Sequence, residues 1–246
     1  MKLLSLDLET TGLDTETCEI IEIGYTLHDT DTGSMAPVLI KSDFVLPKTP
    51  LTEEIIDITG ITDVILQKYG IQIDEALLNF VNFVNEFSPD FIVGQNIIDY
   101  DAPILRRYLP LIKEAPLDKK TFLIDTKIDL PFKREPKNKS LTFMAADIAK
   151  FVNPFAHRAV FDCLTTMKLL ECFDIGKIVQ SALSPIVHLR ADVSFHTKDL
   201  VKGTGYNWNP EMKIWEKKLR EVRAEETEKN RKFPVIVVSR LGNPTL

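Results

Sequence analysis

The chain has 246 residues, 44% of them hydrophobic and 27% charged, so it can bury one substantial core and still carry an appendage. Lys and Arg number 30 against 36 Asp and Glu, and the net charge of -6 excludes a protein that coats nucleic acid through a broad basic surface, though not one that grips a short end. No apolar run approaches the roughly 20 residues that span a bilayer, and Cys18, Cys163 and Cys172 have neither disulfide parity nor metal-ligand spacing, so a reducing, cytoplasmic setting away from membranes is expected.

The first predicted strand runs from Leu3 to Leu8, and no signal peptide is expected ahead of it. It leads through Asp7-Leu8-Glu9-Thr10-Thr11-Gly12. Acids at positions i and i+2 of a strand point to the same side. Two anions so placed repel each other and call for a cation, and Mg²⁺ or Mn²⁺, which prefer oxygen ligands, fits that demand. The small residues and glycine that follow let backbone amides approach a nucleotide or phosphate closely. Strands over residues 20–27 and 35–40, joined by polar turn material at 29–34, complete a β-meander.

Residues 51–58 and 74–87 then read as helices, the second presenting Leu77, Phe80, Val81 and Val84 on one face with Asp74 as its cap. Residues 91–94 form a buried strand that delivers Gly94-Gln95-Asn96-Ile97-Ile98-Asp99-Tyr100-Asp101. Asp99 and Asp101 compete as the third acid; Asp101 is preferred because Pro103 follows it, a residue favoured in the first turn of a helix over 103–109. Asp101 also suits a helix cap, a role compatible with metal contact. A strand over 122–126, a basic loop carrying Lys133, Arg134, Lys137 and Lys139, and a helix over 140–150 come next.

His157 and Asp162 precede and enter an apolar stretch with helical spacing, Ala159, Phe161, Leu164, Met167 and Leu170. Five residues subtend about 140° on a helical wheel, so the two side chains share no helix face, and His157 is placed on the loop entering the helix. From there a histidine, the side chain that titrates nearest neutrality, reaches the site as a mobile general base.

Taken together, Asp7-x-Glu9-Thr10-Thr11-Gly12, the Asn96 to Asp101 segment and His157-x-x-x-x-Asp162 resemble the three motifs of the DEDD 3'-5' exonuclease superfamily over residues 1–175, and the histidine places the chain with its DEDDh branch. The second motif departs from the usual pattern, with three residues rather than two between Asn96 and the aromatic Tyr100. The resemblance implies a ribonuclease H-like fold, a mixed five-stranded sheet flanked by helices. It further implies that Asp7, Glu9, Asp101 and Asp162 hold two divalent ions, roughly 4 Å apart in such sites, with His157 as general base. Thr10, Thr11, Gly12, Leu13 and Asn96 would contact substrate. The expected partners are single-stranded DNA or RNA 3' ends, with a DNA polymerase or another replication or repair protein as a further one. Removal of 5'-monophosphates from single-stranded DNA is the primary reading. Trimming of RNA, or a non-catalytic role at a polymerase or nucleic-acid end, stands as the alternative.

Residues 176–246 read as a small α+β appendage. It comprises an apolar stretch over 178–189, a hairpin pairing Tyr206-Asn207-Trp208 with Lys213-Ile214-Trp215, a solvated charged helix over 216–232, and a final segment over 233–239 that is either an edge strand or a docking peptide. Aromatics interleaved with lysines suit base stacking, or the core of a module too small to do without large side chains.

Overall fold

Leu3, Leu4, Leu6 and Leu8 make β1 (Lys2–Thr10) apolar on both faces, and it lies at the centre of a five-stranded sheet. The computed structural model describes residues 1–113, 116–133, 136–202, 204–228 and 232–246. Antiparallel β2 (Ile20–Asp29) and β3 (Pro37–Phe44) continue the sheet on one side as the expected meander. Parallel β4 (Phe91–Gly94) and β5 (Phe122–Asp125) continue it on the other, in the order β3-β2-β1-β4-β5.

The connections fold into helices α1 (Glu53–Thr59), α2 (Asp63–Tyr69), α3 (Ile73–Phe87), α4 (Asp101–Tyr108), α5 (Leu141–Met144), α6 (Ala159–Leu170) and α7 (Ile175–Ala182). Strand alternation divides the core in two. Leu4, Leu6 and Leu8 meet Leu77, Phe80 and Val81 of α3 and Leu105 of α4 on one face. Leu3, Val93 and Ile124 meet Met167 and Leu170 of α6 and Ile178 of α7 on the other. Each such side chain removed from water stabilises the fold by about 1.5–3 kcal/mol. This is the mixed, helix-flanked sheet of the ribonuclease H-like fold.

Several sequence expectations need correction. Asp74 is not a cap: Gln72 holds that position without a side-chain bond, and Asp74 sits in the first helical turn. Residues 140–150 are not one α-helix, since α5 passes into a π-helical turn over Ala145–Ala149. The apolar stretch 178–189 is divided between the end of α7 and strand β6 (Ile186–Ala191). The charged helix is the largest error: residues 214–220 form a strand, and among the described residues of that stretch only Glu221–Glu228 is helical. Arg134, one of the basic-loop residues, lies outside the described residues.

After β6 the chain builds β7 (Asn207–Asn209), β8 (Ile214–Arg220), α8 (Glu221–Glu228) and β9 (Val235–Leu241), giving an antiparallel sheet ordered β7-β8-β6-β9. The expected hairpin is β7–β8, and the final segment is an edge strand paired with β6. Val187, Leu189, Leu219, Tyr206 and Phe233 make this sheet's own core; Trp215 packs against it while Trp208 stays 49% exposed. Arg220 is fully buried and fixes this sheet to the first, with Nε 2.7 Å from Oδ1 of Asp129 and a second nitrogen 3.0 Å from Oδ2. The last residues return to the first sheet, where Leu246 and Thr121 exchange backbone bonds of 3.0 and 3.3 Å beside β5. Among the described residues no helix is long and apolar enough to cross a membrane.

Candidate active site

Asp7 and Glu9 stand on the face of β1 that α6 covers, and Asp162 enters from the first turns of α6. One carboxylate oxygen from each of the three lies within 4.8 Å of the other two. What lets α6 come so near is Gly24, the cross-strand partner of Asp7: a Cβ there would sit 2.5 Å from backbone atoms of Ala159 and Val160.

Asp101 supplies a fourth carboxyl from the start of α4. Tyr100 holds the cap position, so capping is not the role of Asp101; its Oδ1 instead accepts the amide of Leu8 at 3.0 Å, tying the second motif to β1. Asp99 is exposed and faces away, 3.4 Å from Lys218 Nζ. The geometry thus brings Asp101, and not Asp99, to the cluster.

The acids charge one another. Burial pushes Asp7 well above the usual carboxylate range, and the charges of Asp101, Glu9 and Asp162 push it further. Glu9 rises to about 8 through burial and then Asp162. Burial raises Asp101 to about 7 against the pull of its backbone bonds. Asp162 rises for the same reason, offset by the amide of His157 at 3.0 Å and the carboxamide of Asn153 at 2.8 Å. Four oxygen-donor groups that cannot all ionise alone are a fit for hard divalent cations.

His157 stands on the loop entering α6, as expected, with an exposed side chain and a left-handed backbone, φ 63°. That conformation is unfavourable for a residue bearing a Cβ and is held here by the bond to Asp162. The other substrate-side residues have divided roles. Thr10 Oγ1 bonds the Gly12 carbonyl at 2.8 Å, Thr11 Oγ1 accepts the Glu19 amide at 2.9 Å, and both thereby fix the loop. Gly12 faces open space and Leu13 is 89% exposed, a free apolar side chain at the rim. Asn96 takes φ 60° and receives Lys127 Nζ on its Oδ1 at 2.9 Å.

The supporting roles of five residues escaped the sequence reading. Gly24 is one. Glu22, fully buried beside Glu9 on β2, holds Arg158 and the Ala159 amide at the start of α6. Tyr100 donates its hydroxyl to the Gly12 carbonyl at 2.8 Å and so joins the second motif to the first. Asn153 orients Asp162. Asp125, at the end of β5, accepts the amides of Asn96, Ile98 and Lys127 at 3.0, 3.2 and 2.9 Å; burial raises it to about 6. An acid closing a strand parallel to β4 was the available signal for Asp125.

The exonuclease family model RNase_T matches residues 4–170. A second model, a domain of unknown function designated DUF8626, matches residues 187–238. The chain belongs to the RNase_T exonuclease family. Among solved structures it is similar to exonuclease I, with a TM-score of 0.58 and 14% identity over 76% of this chain and 48% of that one. It is also similar to the nuclease domain of 3'hExo, a DEDDh family member bound to rAMP, with a TM-score of 0.56 and 20% identity over 69% of this chain and 89% of that one. An E. coli exonuclease I complex with a dT13 oligonucleotide gives a TM-score of 0.54 and 15% identity over 85% of this chain and 53% of that one. The chain spans about half the length of the exonuclease I structures it matches.

Proposed function

We propose that the chain is a metal-dependent 3'-5' exonuclease that releases nucleoside 5'-monophosphates from single-stranded DNA 3' ends. The observation that carries this reading is the convergence of the partly buried Asp7, Glu9 and Asp162, with Asp101 beside them and His157 at the rim. Two Mg²⁺ or Mn²⁺ ions bound by the four acids would offset their charge and stabilise the charge that builds on the phosphate. Leu13 packs on the terminal base and stops the strand, so the reaction takes one nucleotide at a time. A ring nitrogen of His157 takes a proton from water as the water oxygen bonds to phosphorus. The bond from phosphorus to the 3' oxygen breaks, leaving a 5'-monophosphate and a strand one residue shorter. Asp125, Asn153 and Glu22 act only by holding Asn96, Asp162 and the entry to α6 in place.

RNA is the second reading, favoured by the similarity to 3'hExo bound to rAMP; discrimination would rest on contacts to the 2' hydroxyl. In this proposal residues 1–175 carry the chemistry and residues 176–246 form the appendage, although Ile178 and Ala182 of α7 pack in the nuclease core.

The test uses 5'-labelled single-stranded DNA and RNA of one sequence, with Mg²⁺, Mn²⁺ or EDTA, beside Asp7→Asn and His157→Ala. A metal-dependent ladder shortening from the 3' end, abolished by the first variant and slowed about 10²–10⁴-fold by the second, is expected. Absence of cleavage on both strands, with oligonucleotide binding intact, would replace the enzyme by an end-binding protein.

A further inference from the structure

The second sheet has two unlike faces. Val187, Leu189 and Leu219 cover its own core, whereas His188, Glu216, Lys218 and Asn207 share the other face, as their register across β6, β7 and β8 requires. That polar face is open to solvent at Asn207 and Lys218. It fronts the nuclease sheet across a cleft of about 600 Å³, whose far walls are the second-motif loop at Asn96 to Asp99 and the loop at Pro136 to Lys139. Such a volume lies within the roughly 300–1,000 Å³ of ligand sites.

The cleft adjoins the second motif. Asn96 and Asp125, which shape the second motif, are part of its wall. Its chemistry runs against the chain's net charge of -6. Lys127 gives its ammonium to the neutral carboxamide of Asn96, Lys137 is exposed on the loop, and Lys218 reaches in from the sheet. Glu216 is engaged by His188 at 2.8 Å and by Asn209 at 3.0 Å. Asp125 is buried and taken up by the amides of Asn96, Ile98 and Lys127. That leaves Asp99, which meets Lys218 across the cleft at 3.4 Å with both side chains more than half exposed. An ion pair so exposed is worth about 0–1 kcal/mol, so a phosphodiester can take the place of Asp99 on Lys218.

We propose that this cleft is a binding track for the phosphodiester backbone of single-stranded nucleic acid upstream of the 3' end, with Lys127, Lys137 and Lys218 as its phosphate contacts and the Asp99–Lys218 pair as a weak latch that the strand opens. The proposal rests on the exonuclease reading and extends it from the terminal nucleotide to the nucleotides behind it. It assigns the appended sheet a role as one wall of the substrate path. A backbone track reads charge and spacing, not base identity.

The experiment compares two substrates on the full chain. One is an oligothymidylate of about 20 nucleotides, long enough to follow the cleft; the other is the p-nitrophenyl ester of thymidine 5'-monophosphate, which ends at the metal site. Lys218→Glu and Lys137→Glu lie on separate segments, are exposed, and touch none of the acids. Each is expected to raise KM for the oligonucleotide about tenfold, to flatten its logarithmic salt dependence by about 0.7, and to leave ester hydrolysis unchanged. Asp99→Asn is expected to lower that KM. Equal KM values in wild type and variants on the long substrate overturn the track and leave the nuclease reading standing, as does an equal slowing of both substrates. If wild type hydrolyses neither, the nuclease reading fails. Fluorescence anisotropy of the labelled oligonucleotide in EDTA then decides the cleft alone: weakened binding in both variants retains it as a strand-binding surface, and unchanged binding overturns it. Tighter binding of poly-glutamate than of the oligonucleotide would assign the cleft to an acidic protein and overturn the proposal too.

Discussion

Arg158 Nε lies 3.0 Å from Oε2 of Glu22, and the same oxygen accepts the Ala159 amide at 3.2 Å. A buried acid on β2 thus holds both the residue after His157 and the first turn of the helix that carries Asp162. Charge at this position also suits the positive end of a helix dipole. In Glu22→Gln the ion pair is lost while Arg158 keeps partial access to water, so we expect a loss of about 2 kcal/mol, short of the full penalty for breaking a buried pair. Activity should fall about tenfold, mostly in kcat. Thermal melts and single-turnover rates check this, and the double variant with Arg158→Gln should recover part of the stability.

Gly24→Ala tests the close approach of α6. The added methyl meets backbone atoms at 2.5 Å, which cannot swing aside as a side chain would. Overpacking of this kind costs typically 1–3 kcal/mol, and here it also moves Asp162 away from Asp7. We expect metal affinity, read by isothermal titration with Mn²⁺, to weaken more than the melting temperature implies.

The third carboxylate can be separated from its neighbour directly. Asp101→Asn should reduce cleavage at least about 10²-fold, the scale seen when a group stabilising charge in the transition state is removed. Asp99→Asn should retain cleavage of short substrates. Equal loss in both variants would contradict the placement of Asp99 against Lys218.

Metal and pH should act on stability together. Asp7 and Asp162 are raised, Glu9 lies at about 8 and Asp101 at about 7 in the folded chain. A carboxyl raised above its unfolded value holds its proton more tightly when folded. Its contribution is therefore complete below about pH 4 and is lost as pH climbs through the folded values. In EDTA the melting temperature should fall between pH 5 and pH 8. Added Mg²⁺ should restore it, more at pH 8 than at pH 5, because a ligand bound only by the folded state stabilises by mass action. A metal-free melting temperature that rises with pH would sink this account of the cluster.

Arg220 and Asp129 form a two-point, fully buried pair, with Ser181 and the Asp125 amide also on Asp129 at 2.9 and 2.8 Å. Asp129→Ala strands the guanidinium and should destabilise by about 3–5 kcal/mol. The Asp125 hub loses its neighbour as well, so cleavage should weaken along with resistance to proteolysis between the two sheets.

What the sequence disclosed followed from short-range periodicity. Acids two apart on a strand had to share a side, and β4 and the apolar face of α3 were legible for the same reason. The helix α2 is only seven residues long and was passed over, although the Thr62 hydroxyl that caps it was a usable signal. Glu22 could not be found this way, because its partner is 136 positions distant and leaves no local pattern. Residues 216–232 misled because Lys217, Arg220 and Arg223 have the spacing of a solvated face. The fold instead buries all three, against Glu228, Asp129 and the Leu130 carbonyl. Tertiary pairing overrode what composition implied.

β5 is the last strand of its sheet, with an open hydrogen-bonding edge that would pair with any extended chain it met. Pro244, Thr245 and Leu246 occupy that edge: the Leu123 amide bonds the Pro244 carbonyl at 3.1 Å, and Leu246 is buried in the core behind. Three residues at the far end of the sequence therefore shield the sheet that carries the acids. Trimming them should leave the acid cluster untouched while opening the β5 edge to strand-to-strand self-association.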